Sequence, residues 1–182
     1  ENYIGWNTNM GCYFNSQSAS SNYILSNTLF NTAAGQNGYG FRFNSGYWFY
    51  VYSNSAFSNA NDGYSLIGLY GGTWLQNQAY SNASGITLST ASNTLILSNL
   101  LYNNVNQGLY ETGALCMSNL VAGNVALGGM YQKYGFNANA SLAHGDRYLQ
   151  NSSSNHTLDG FSFANMSNMI LVSNVAGGNR RT

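Results

Sequence analysis

Short apolar runs closed by asparagine recur along the whole chain. The marking residues are Asn7, Asn27, Asn54, Asn77, Asn99, Asn119, Asn151 and Asn174, at spacings of 20, 27, 23, 22, 20, 32 and 23 residues. Three of the runs read Ile24-Leu25-Ser26-Asn27, Trp74-Leu75-Gln76-Asn77 and Ile96-Leu97-Ser98-Asn99, and the last closes with Leu171-Val172-Ser173-Asn174. A second polar residue follows four or five positions later, and then a short strand opened by glycine. Examples are Gly40-Phe41-Arg42-Phe43, Gly85-Ile86-Thr87-Leu88 and Gly160-Phe161-Ser162-Phe163. Apolar and polar residues alternate in these segments, which is the period of a strand with one buried face. No sustained three-to-four-residue apolar period exists, so no long helix is predicted.

A repeat this short cannot enclose a core by itself, so each unit must bury its apolar face against the next. Two or three short strands per repeat, joined by bends, predict an all-β, single-stranded parallel β-helix of seven or eight coils, each rising ~4.8 Å. The recurring asparagines have a structural role in such a solenoid. Asparagine tolerates the left-handed backbone of a tight bend, and its amide can bond to its counterpart one coil away. Asn27, Asn54, Asn77, Asn99, Asn119, Asn151 and Asn174 are therefore expected to form a ladder.

The phrase apolar-x-Ser-Asn, followed by glycine-led alternation, resembles the parallel β-helix repeats of the pectin-lyase-like superfamily over nearly the entire chain. The resemblance implies a right-handed coil, in keeping with the usual hand of parallel crossovers. It implies fold more than activity, because that scaffold carries lyases, epimerases, tailspikes and surface proteins alike. The segment Tyr134-Gly135-Phe136-Asn137-Ala138-Asn139-Ala140 is also similar to the active-site phrase of mannuronan epimerases, where Tyr-Gly-Phe precedes Asp-Pro-His-Asp. The acids and histidine of that phrase are replaced here by Asn137, Ala138, Asn139 and Ala140, so no catalytic role passes to them.

Composition narrows the function classes. Only 5% of the 182 residues are charged and the net charge is zero. With five Lys and Arg in all, the chain is not suited to neutralising a nucleic-acid backbone. No apolar stretch is long enough for a transmembrane helix. A neutral surface of Asn, Ser, Thr, Gly and Tyr suits an extracellular or cell-surface protein that meets other protein copies or glycans. Cys12 and Cys116 fall about five coils apart, far beyond the ~7 Å reach of a disulfide, and read as inward free thiols. Sequons at Asn82, Asn139, Asn151, Asn155 and Asn165 are glycosylation candidates in a secreted chain, though the abundance of Asn, Ser and Thr accounts for their number.

Candidate chemistry is sparse. Lys133, His144, Asp146 and Arg147 cluster in sequence within the long interval between Asn119 and Asn151, read as a loop excursion over about 131–150. A lyase or epimerase would use such a set to neutralise a sugar carboxylate and remove the neighbouring proton. Metal-ligand spacing is absent, Asp62 in Asn61-Asp62-Gly63 reads as a bend former, and no cofactor is expected. Outward positions of the glycine-led strands stack as Arg42, Thr87, Tyr110, Tyr131 and Ser162, of which Arg42, Tyr110 and Tyr131 are candidate ligand-binding residues. Repetition begins at Tyr3 and persists to Asn179, which predicts an excerpt of a longer solenoid or ends covered by stacked subunits. The leading expectation is a surface-assembly protein, a homo-oligomer or filament packing through its Tyr- and Asn-rich flanks and coil ends. The alternative is a polysaccharide-binding or polysaccharide-processing protein.

Overall fold

The computed structural model describes residues 2–5, 10–15, 21–30 and 38–180. Asn7 lies outside the described residues. Among the described residues every regular element is a strand, and the strands form three parallel sheets. Sheet A contains the eight strands Tyr3–Gly5, Thr28–Phe30, Ser55–Phe57, Gln78–Tyr80, Leu100–Tyr102, Val125–Leu127, Ser152–Ser154 and Val175–Gly177. Sheet B contains the seven longer strands Met10–Asn15, Tyr39–Tyr47, Tyr64–Tyr70, Ser84–Ser89, Gln107–Thr112, Tyr134–His144 and Phe161–Ser167. Sheet C contains the seven strands Tyr23–Leu25, Tyr50–Tyr52, Thr73–Leu75, Leu95–Leu97, Leu120–Ala122, Arg147–Leu149 and Ile170–Val172. The chain visits the sheets in rotation, which makes a right-handed parallel β-solenoid. Among the described residues no helix is long and apolar enough to cross a membrane.

Each coil turns at three corners, and one device recurs at them: a left-handed residue followed by a ladder residue. Between sheets C and A the left-handed residues are Ser26, Ser53, Gln76, Ser98, Gly123, Gln150 and Ser173. The next residue in each case is Asn27, Asn54, Asn77, Asn99, Asn124, Asn151 or Asn174. In this ladder the backbone N–H and side-chain amide of one asparagine both donate to the Oδ1 of the next, at 2.8–3.1 Å. The amide's second hydrogen reaches back one coil, as from Asn99 Nδ2 to the Trp74 carbonyl at 3.0 Å. Asn2 donates to Asn27 at 2.8 Å. A second ladder at the corner between A and B runs Asn59, Asn82, Asn104 and Gln132, and below it the His156 N–H donates to Asn179.

Two sequence expectations change here. Asn124, not Asn119, joins Asn99 to Asn151. Asn119 sits at the corner between B and C, between Thr94 and Asp146. Both corners place an asparagine after a left-handed residue and before a three-residue strand, so they look alike in sequence. With Asn124 in register the 32-residue gap disappears, and 131–150 is no loop excursion. Tyr134–His144 is the longest strand of sheet B, paired on both sides, with a register shift only between Asn139 and Ala143.

The core follows from strand length. A three-residue strand between two corners points only its middle side chain inward, so Val51, Trp74, Ile96, Val121 and Tyr148 stack from sheet C, and Leu29, Ala56, Ala79, Leu101 and Ala126 from sheet A. The glycines that open the sheet B strands have a steric cause. A Cβ on Gly85 would lie 2.4 Å from the Gly108 carbonyl oxygen and 3.1 Å from the Asn104 amide, and Gly40, Gly63 and Gly108 face the same obstruction from the coil below. Gly85→Ala therefore forces two coils apart, with an expected loss of about 1–3 kcal/mol, read as a lower denaturation midpoint. An Ala variant as stable as the parent would refute this account.

Candidate functional site

The outer face of sheet B carries the polar side chains of the glycine-led strands. Register aligns Tyr13, Arg42, Ser65, Thr87, Tyr110, Asn137 and Ser162 in one column across the sheet. Tyr131 is not among them. It stands 69% exposed on the loop before this sheet, beside Met130 and Val105, and Asn137 holds the position expected for it, because residues 134–144 pair in regular register.

Arg42 lies over the Tyr39 ring at 4.8 Å and over the Tyr13 ring at 5.9 Å, in the range of cation–π attraction. One coil on, Asp62 stands against Ser84 and Thr87. Burial pushes the Asp62 carboxyl up to about 6, opposed by the hydroxyls of Thr87 and Ser84 and, more weakly, by the charge of Arg42. The face thus combines a cation, two aromatic rings, hydroxyls and a carboxyl near neutrality. Asp62 does precede a bend at Gly63, but its contacts also make it part of this surface. Alignment of the chain on its glycine-led strands would have placed it there, since it immediately precedes one of those glycines.

The four residues read as one charged set are not brought together. Lys133 is exposed at the start of the Tyr134–His144 strand and His144 is exposed at its end. With the register shift between Asn139 and Ala143 allowed for, these ends lie roughly 30 Å apart. His144 contacts the Ser167 hydroxyl one coil on, Arg147 points outward, and Asp146 between them is fully buried.

Asp146 turns into the solenoid to meet a second carboxyl. Glu111 occupies an inward position that its neighbours in register fill with Leu88 and Ala138. The Tyr148 hydroxyl donates to Glu111 Oε2 at 2.6 Å and Asn119 Nδ2 donates to Oε1 at 3.0 Å. Asp146 Oδ1 accepts the Asn119 N–H at 2.7 Å, which is the ladder's own bond. Burial raises Glu111, and burial followed by the Glu111 charge pushes Asp146 up to about 7. Burial and mutual repulsion make the pair hold back a proton until the pH nears 7. The Cys116 thiol beside them is pushed up to about 12 by burial and by Glu111, so it stays protonated. Cys12 is likewise free and half-buried against the core.

Among the sequons, Asn82 and Asn151 are buried ladder members whose amides are bonded on both sides, so neither is open to glycosylation in the folded chain. Asn139, Asn155 and Asn165 are exposed, and Asn165 donates to Asn139 at 2.8 Å. Asn139 and Asn137 alternate with inward Ala138 and Ala140, so the phrase resembling the epimerase active site presents two amides on the outer face of sheet B.

No protein-family model matches this sequence, and no curated protein matches it either. Among solved structures the chain is similar to the periplasmic alginate epimerase AlgG, with a TM-score of 0.78 and 15% identity over 94% of this chain and 43% of that one. It is also similar to the A-modules of two Azotobacter vinelandii mannuronan C-5 epimerases. For AlgE6 the TM-score is 0.55 at 14% identity, covering 91% of this chain and 56% of that one. For AlgE4 it is 0.54 at 15% identity, covering 98% and 53%. The chain therefore spans about half the length of these proteins. The likeness is one of fold, a parallel β-helix.

Proposed function

We propose that the chain is a polysaccharide-active β-helix acting outside the cytoplasm, which takes an acidic polysaccharide across the outer face of sheet B. The observation that carries this reading is the Arg42–Asp62 surface. Arg42, set over Tyr39, is the ligand for a sugar carboxylate, because a guanidinium binds a carboxylate with paired hydrogen bonds while its ring partner keeps it in place. The buried hydroxyls of Ser84 and Thr87 face Asp62, and Tyr110 and Asn137 continue the polar column toward the sugar. Asp62, with its carboxyl near 6, is suited to remove the proton beside a carboxylate that Arg42 has neutralised. That is chemistry of the epimerase or lyase kind, and the similarity of fold to an alginate epimerase and to mannuronan C-5 epimerases favours it over a filament-forming role. Asn137 and Asn139 hold hydroxyls in this scheme and transfer no proton, because an amide does not ionise in this range.

Calorimetric titration with an oligomannuronate, and proton NMR in deuterated water to follow exchange at the sugar C5, test the reading. Arg42→Ala is expected to weaken binding roughly 10- to 100-fold, the range of a lost charge-assisted contact. Asp62→Asn is expected to abolish exchange while leaving binding within a few-fold, and the parent's exchange rate should rise with pH through about 6. Oligomannuronate binding that is indifferent to Arg42, or ordered polymers of the pure protein with no affinity for any acidic glycan, would overturn the proposal in favour of surface assembly.

A further inference from the structure

At the corner between sheets B and C each coil turns on one left-handed residue. In successive coils these are Ser21, Trp48, Gly71, Asn93, Ser118, Gly145 and Asn168. Six are glycine, asparagine or serine, small residues, two of which, glycine and asparagine, visit this backbone region most readily. Trp48 at φ 54° is the exception. A bulky aromatic residue is a genuine outlier in this conformation, and strain of this kind persists where the surroundings enforce it, often at binding sites.

The surroundings do enforce it. The six-membered ring of Trp48 lies over Gly71, where a Cβ would come within 2.8 Å of it, so the glycine one coil on is the floor on which the indole rests. The side chain faces outward and is 57% exposed. Its ring meets Tyr70 edge-on at 6.3 Å, and Tyr70 in turn lies 6.3 Å from Tyr47 at a tilt of 59°. Both tyrosines are nearly half exposed. A cleft of about 330 Å³ opens beside them, lined by Ser45, Gly46, Tyr47, Gly68 and Tyr70. This is near the lower limit for small-ligand sites. Its lining carries no charge, and the exposed backbone of Gly68 and the Ser45 hydroxyl supply the polar groups.

We propose that Trp48, Tyr70 and Tyr47 form a sugar-stacking subsite, in which the C–H face of an uncharged or charge-averted pyranose ring lies on the aromatic platform while Ser45 and the glycine backbone take its hydroxyls. The assignment rests on the polysaccharide reading above and extends it. Arg42 and Tyr47 share the strand Tyr39–Tyr47, and their five-residue separation is about 17 Å along it. One oligosaccharide crossing sheet B along this strand would therefore reach both the carboxylate ligand and the platform. Arg42 selects charge, and the platform contributes affinity without regard to it.

The test uses Trp48→Gly, in which the new residue relaxes the left-handed backbone, and Trp48→Asn as a second variant matching Asn93 and Asn168. Both are expected to keep or raise the denaturation midpoint while weakening binding of a long oligomannuronate about tenfold. The loss should shrink for a disaccharide, which is too short to span both subsites. Cellohexaose, an uncharged probe, is expected to shift tryptophan fluorescence in a Trp6→Phe background, and the shift should vanish in both variants because Trp74, the one other tryptophan left, is fully buried. Unchanged affinity for both probes in either folded variant would overturn the subsite. Cellohexaose binding that depends on Trp48, with no oligomannuronate binding, would retain the platform and discard the acidic-polysaccharide reading. Binding of neither probe would remove both.

Discussion

Asn99→Ala is expected to lower the unfolding free energy by roughly 4 kcal/mol, among the largest losses available to a single substitution in this chain. Asn99 is 1% exposed. Its Oδ1 accepts two bonds from Asn77, at 2.8 and 3.1 Å. Its amide donates to the Trp74 carbonyl at 3.0 Å and to Asn124 Oδ1 at 2.9 Å. Alanine removes one partner from each contact and leaves buried donors and acceptors on the two neighbouring coils unsatisfied. Each such group costs about 1–3 kcal/mol when water cannot reach it. The sum is held down because neighbouring losses overlap. Asn103 supplies the control. It is exposed and left-handed at φ 52°, so Asn103→Ala should cost only about 1–2 kcal/mol, the backbone preference for that region. Urea denaturation of both variants measures the difference. Equal losses would show that the ladder's hydrogen bonds add little beyond local bend preference.

The second large effect is a dependence of stability on pH. Asp146, pushed up to about 7, and Glu111, also raised, retain a proton in the folded chain that both release in the unfolded chain at ordinary carboxylate values. A raised folded-state pKa contributes stability that is fully present below the unfolded value, near 4, and is lost as pH rises through about 7. For the one retained proton the slope is about 1.4 kcal/mol per pH unit across that window. The parent should therefore resist urea better at pH 5 than at pH 8, the reverse of a protein stabilised by ion pairs. Asp146→Asn should flatten the profile and exceed the parent at pH 8. Asparagine at 146 still accepts the Asn119 N–H, as Asn119 accepts that of Thr94, and brings no charge to Glu111. Because His156, held neutral by burial, contributes the opposite slope below about 6.5, the shared proton is read from the difference between the parent and Asp146→Asn, and a difference that does not change from pH 5 to 8 would rule it out.

Burial of an acid pair inside a repeat depends on the side chains packed around it. Tyr148 satisfies Glu111 only because its ring replaces the smaller Val121 and Ile96 of the coils before it, and Ala138 follows Glu111 in register on the opposite wall. His156 shows the same economy at the corner between A and B. Burial pushes its imidazole down to about 4, so it remains neutral, and its Nε2 donates to the Ala126 carbonyl at 3.2 Å. The same carbonyl position is served by ladder amides in earlier coils, as Asn82 serves Ala56 and Asn104 serves Ala79.

The sequence by itself determined the solenoid. Three-residue apolar strands, left-handed Ser, Gln, Gly or Asn at the corners, a ladder amide after them and a glycine ahead of each sheet B strand are local instructions. Each acts within a few residues through backbone preference and side-chain volume, and their repetition leaves a parallel coil as the form that buries every apolar middle residue. Only the tertiary structure decided which corner an asparagine occupies, as Asn119 and Asn124 show. It also decided that Lys133 stands at the opposite edge of the sheet from His144, that Arg42 and Asp62 share one surface, and that Glu111 and Asp146 meet inside. These contacts join residues one coil apart, and coils here differ in length because their loops differ. The number of residues from one coil to the next sets which side chains align, and that number is fixed by the packing of whole coils, not by any local preference.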